Sequence, residues 1–68
     1  MIGLNCTFSF THEVEGNKQE VNGARGIIRS EIMQKHVKDK TYSVIWVQHA
    51  ESGQLHEVFA HKVSVVNA

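Results

Sequence analysis

The segment Tyr42-Ser-Val-Ile-Trp-Val47 places large apolar side chains at four consecutive positions, Val44 to Val47. Successive side chains of a β-strand point to opposite faces, so a strand made from this run is apolar on both. Each face needs cover, and a chain of 68 residues has little to give. A domain of that size buries only about 60% of the surface its unfolded chain exposes, and it commonly adds disulfides, metals or oligomerisation. Cys6 is the single cysteine, which excludes an internal disulfide and fits a reducing compartment or a buried thiol. The doubly apolar strand therefore bears on assembly as well as on architecture.

After this run, Ser52-Gly53 can form a two-residue hairpin loop, and Leu55 to Phe59 supplies the return arm. That turn pairs His49 with His56, Val47 with Val58 and Trp46 with Phe59. One face then carries Tyr42, Val44, Trp46, Leu55 and Phe59. The opposite face carries Ile45, Val47, Val58 and the two facing histidines. Ala60 to Val63 reads as a short helical turn before a last strand, Val63 to Val66.

Nearer the N-terminus, Cys6-Thr-Phe-Ser-Phe-Thr11 alternates apolar and hydroxyl residues, which predicts a strand with Cys6, Phe8 and Phe10 facing a core. Gly16-Asn17 predicts a tight turn within Glu15 to Lys18, and Asn22-Gly23 a second turn. From Gly26 to about Met33 the chain reads as a strand, followed by a loop from Gln34 to Lys40. The competing reading is a short helix capped by Ser30, with Ile32, Met33, His36 and Val37 as its apolar stripe.

The order of these signals resembles the SH3-like small β-barrels. The resemblance rests on an alternating first strand, Gly23-Ala-Arg-Gly-Ile-Ile28, Tyr42-Ser-Val-Ile-Trp46, a hairpin, and a turn before a closing valine strand. The resemblance covers residues 6–66 and implies a mostly all-β, single five-stranded barrel, with Tyr42, Val44 and Trp46 packed inward against Phe8, Ile28, Phe59 and Val65; residues 1–68 are read as that one domain. Tetrameric reductases of this outline carry Val-Gln-Ile-Tyr where this chain reads Leu55-His-Glu-Val-Phe59, so that activity is not implied. Barrels of the nucleic-acid-associated group carry a basic excess that is missing here.

With Trp46 inward, Ile45, Val47 and Val58 stand outside as an apolar patch, rimmed by His49 and His56. Such patches mark interaction sites. The leading expectation is a non-catalytic module that self-associates, as a dimer first of all, or docks on a partner protein. Seven basic and seven acidic residues give no net charge, which disfavours a dedicated nucleic-acid binder. The charges are unevenly spread, however: residues 1–24 carry −2, residues 25–40 carry +3 and the rest −1. Arg25, Arg29, Lys35, Lys38 and Lys40 thus define a second reading, a nucleic-acid patch. A third is an oligomeric pore for a small ligand.

No catalytic set emerges. Cys6 and His12 are too far apart along a strand to cooperate, and His56 and Glu57 point to opposite faces. The five histidines show no zinc spacing, so neither metal nor cofactor is expected. The sequence shows no secretory leader and no long apolar run, and the expected setting is soluble and cytoplasmic, away from membranes.

Overall fold

The computed structural model describes residues 2–66. It is all-β, with six strands and one short helical turn. The strands are β1 (Asn5–Val14), β2 (Asn17–Ile28), β3 (Met33–Val37), β4 (Lys40–His49), β5 (Leu55–Phe59) and β6 (Val63–Val65). A 3-10 turn, Ala60–Lys62, joins β5 to β6, as the sequence predicts. All pairings are antiparallel, in the order β3-β4-β2-β1-β6, with β5 on the other edge of β4. The sheet is curled but not closed, because no ladder joins β5 to β1.

β4 is the hub. Its second half pairs with β2 (Ile28 opposite Val47), and its first half pairs on the same edge with β3 (Met33 opposite Val44). The handover falls at Trp46. Its carbonyl accepts from the Arg29 N–H at 2.9 Å, and its own N–H donates to the Ser30 hydroxyl at 2.9 Å. The serine side chain thus completes the ladder where the backbone departs.

Four local predictions need correction. The strand expected from Gly26 to about Met33 stops at Ile28, the end of β2, and a separate strand begins at Met33. Residues 34–40 are not a loop: β3 occupies most of that span and reverses through Lys38, whose φ is +55°. This adds a sixth strand to the five expected. Asn22-Gly23 is not a turn either. β1 and β2 stay paired past it, but the register shifts between Phe8 opposite Ala24 and Phe10 opposite Val21. That extra residue on β2, with Gly23 at φ +72°, makes a β-bulge of the kind that uses a left-handed glycine. The turn between β1 and β2 sits at Glu15-Gly16, one residue before the expected Gly16-Asn17, with φ values of +53° and +81°.

The core consists of Cys6, Phe8, Ile28, Ile45, Val47 and Val58, with Phe10, Ala24 and Val63 partly buried against it. This overturns the predicted facing of β4. Ile45 is 1% exposed, Val47 0% and Val58 8%, so none of the three forms an outer patch. Trp46 is half-buried on the opposite face, with Tyr42, while Phe59 and Val65 are 40% and 41% exposed. The physical reason lies in side-chain size and polarity. Compact β-branched residues fill the narrow interior opposite Ile28 and Phe8, whereas an indole and a phenol carry polar groups that need water or a partner. The curl also lets β-branched residues pack tightly: a Cβ at Gly26 would lie 2.6 Å from Val47 and 2.7 Å from the Gln48 carbonyl oxygen.

Candidate interaction face

Because Ile45 and Val47 face inward, Tyr42, Val44 and Trp46 face outward. Strand register extends this outer face on both sides. Lys35 lies opposite Tyr42 and Met33 opposite Val44 on β3, while Phe59 lies opposite Val44 and Glu57 opposite Trp46 on β5. Met33, Val37 and Phe59 are exposed at 40%, 44% and 40%, and Leu55 at 56%. The Tyr42 and Phe59 rings meet with centroids 5.5 Å apart. The Lys35 ammonium reaches the Glu57 carboxylate at 2.8 Å, joining β3 to β5 across β4. Register places that ion pair over Val44, which explains how an outward residue comes to be only 5% exposed. A groove of about 720 Å³ runs beside β5, with Tyr42, Trp46 and Phe59 on one bank and Ser9, Thr11 and Glu20 on the other.

His49 and His56 lie on the inner face, at the mouth of the curled sheet. They are not directly opposed: His56 pairs with Val47, and His49 with Gln54 through its N–H. The hairpin register is offset by two residues from the expected one. Its loop is Ala50 to Gly53, four residues closed by Gly53 at φ +75°, where a two-residue loop was expected. A two-residue offset preserves side-chain parity, so the histidines still share a face with Ile45, Val47 and Val58. Their ring centroids are 6.2 Å apart. His56 stacks on Phe10 at 4.4 Å, and its Nε2 is buried without a hydrogen-bond partner. Burial pushes the His56 imidazole below its ordinary pKa, and His49 and then His12 push it the same way. The Nδ1 atom of His49 lies 3.0 Å from the Ser52 hydroxyl.

The basic residues separate into two groups. Arg25 and Arg29 are exposed along and just after β2, where the Arg29 Nε donates to the Gln48 side chain at 2.8 Å. Lys35, Lys38 and Lys40 sit on the β3–β4 hairpin, with Lys35 engaged by Glu57. Cys6 is buried, and burial raises its thiol pKa, which makes it inert. Among the described residues, no group of three or more histidine, cysteine or acidic side chains is placed to hold a metal ion. No helix among them is long and apolar enough to cross a membrane.

The residues that the sequence reading missed are Tyr42, Trp46 and Phe59 as surface groups, together with Met33 and Val37. No period-2 signal marks the last two, because Gln34, Lys35 and His36 between them are all polar. Comparison with known proteins finds no matching family model, no similar curated protein and no similar solved structure.

Proposed function

We propose that this protein is a non-catalytic interaction module that self-associates through the outer face of β3, β4 and β5. Tyr42, Trp46 and Phe59 are its anchors, and Lys35 and Glu57 are its polar centre. The observation that carries this reading is surplus surface. The chain exposes 5102 Å². A folded monomer of 7.7 kDa is expected to expose roughly 4,300 Å². The difference, about 800 Å², matches one partner's share of a standard protein interface.

Shape supports the same conclusion. The extents are 38 × 31 × 16 Å and the radius of gyration is 12.4 Å. A chain of this length normally has a radius of roughly 11 Å. A flat molecule with aromatic side chains on one broad side gains the missing layer by stacking on a second copy. Tyrosine and tryptophan are the residue types that dominate such contacts, and twofold dimers are the commonest assembly.

Sedimentation equilibrium over a wide concentration range tests the proposal. The expected result is a reversible dimer that Trp46→Glu converts to a monomer with unchanged circular dichroism. A wild-type chain that stays monomeric throughout would overturn it.

Nucleic-acid binding is the second reading, and one feature favours it: Lys35 lies opposite Tyr42 on the same face, giving a cation beside a stacking surface. The ion pair of Lys35 with Glu57 counts against it. Gel-shift assays at low salt that show no retention of any DNA or RNA would remove this reading.

A further inference from the structure

The distal part of the β1–β2 hairpin has no place in the core. Every residue from Thr11 to Glu20 is exposed, although the strands remain paired as far as Val14 opposite Asn17. An isolated two-stranded ribbon is marginal in water, so an arm of this kind is held by what it touches. Its charge is one-sided: Glu13, Glu15 and Glu20 stand against Lys18 alone, a net of −2. Among the described residues, Glu20 reaches Lys62 at 3.9 Å, and no ion pair engages Glu13 or Glu15. Val14, between those two carboxylates, is 41% exposed.

The β3–β4 hairpin has the complementary character. Lys35, Lys38 and Lys40 stand against Asp39, a net of +2, and Val37 beside them is 44% exposed. Within one copy Thr11 and Glu20 at the root of the arm share a groove with Lys35 and Val37, yet among the described residues no ion pair joins the arm to the β3–β4 hairpin. β1 and β4 are both antiparallel to β2 and therefore run in the same direction. The arm turns beyond the C-terminal end of β1, and the basic hairpin turns before the N-terminal end of β4.

We infer that in the dimer the acidic arm of each copy docks on the β3–β4 hairpin of the other. Glu13 and Glu15, which share one face of the arm, meet Lys38 and Lys40 of the partner hairpin. A twofold axis across the strand direction makes this contact twice, so one acidic end and one basic end per chain are both satisfied. The net charge of zero leaves no overall repulsion to oppose it. This inference rests on the self-association proposed above and specifies its geometry.

Charge reversal and mixing provide the test. Glu13→Lys with Glu15→Lys, and separately Lys38→Glu with Lys40→Glu, change exposed side chains and are expected to leave the folded spectrum intact. Each double variant alone is expected to dimerise about tenfold more weakly than wild type at low salt, the loss shrinking as salt is added. An equimolar mixture of the two is expected to recover wild-type association as a heterodimer, because both contacts then pair opposite charges. Should a double variant fail to fold, the neutral Glu13→Gln with Glu15→Gln replaces it, with weakened dimerisation expected. A wild-type dimer that the reversals do not weaken, or a mixture that fails to recover, overturns the arm contact while leaving the outer-face proposal standing. A wild-type chain that never dimerises overturns both.

Discussion

Two glycines serve different purposes, and substituting alanine separates them. Gly26 has no room: a Cβ there would meet Val47, the Gln48 carbonyl and Phe8 at 2.6, 2.7 and 2.8 Å. Because one of these neighbours is backbone, Gly26→Ala is expected to cost about 3 kcal/mol in urea-unfolding experiments, the upper end for overpacking. Gly23 has space but a φ of +72°, so Gly23→Ala is expected to cost only the left-handed penalty of about 1 kcal/mol. His56 provides a third residue-scale outcome. Phe8 and Phe10 surround its ring, and His49 and His12 act on it, with no carboxylate among the causes of its lowered pKa. The fold favours the neutral ring, whereas the unfolded chain takes up a proton near the ordinary value of 6.5. This contribution to stability is therefore fully present above that pH and declines on acidification. The urea midpoint is expected to fall between about pH 7.5 and about pH 5, and His56→Phe to flatten that decline. The facing of Trp46 could not be read at this scale. Val44 to Val47 offers two apolar faces, and hydrophobicity alone does not say which one a curled sheet turns inward.

Individual strands were far more legible than their pairing. The alternation from Cys6 to Phe10 marks β1, and the 3-10 turn at Ala60 and the closing valines follow from local pattern. What failed was whatever depended on where the chain turns or slips: the bulge at Gly23, the four-residue loop ending at Gly53, and β3 with its turn at Lys38. In each case a left-handed backbone position decides the outcome, and only the strand opposite fixes where that position falls. The ion pair that straps β3 to β5 is an element-scale feature with a modest expected energy. The side chains of Lys35 and Glu57 are 53% and 30% exposed, and a double-mutant cycle is expected to give a coupling below about 1 kcal/mol. Its value lies in holding β3, which pairs with β4 alone, in line with β5.

The molecule is thinly buttressed, since among the described residues seven apolar side chains make up the buried hydrophobic set. Domains this small seldom exceed about 3–5 kcal/mol of stability. Phe8→Ala removes the largest of the fully buried side chains and is expected to cost about 3–5 kcal/mol, leaving no cooperative thermal transition. Trp46→Ala, in contrast, is expected to keep the transition and lose the dimer. The contrast reverses what the sequence suggests for β4, and it separates the surface that holds the fold from the surface that meets a second copy. The solitary thiol adds a built-in clock. Cys6 sits within β1, opposite Gly26 on one side and Val65 on the other, and is 1% exposed. A disulfide reagent reaches it only when those layers part, so the rate of labelling counts how often the interior breathes, in a chain that has no other cysteine to blur the signal.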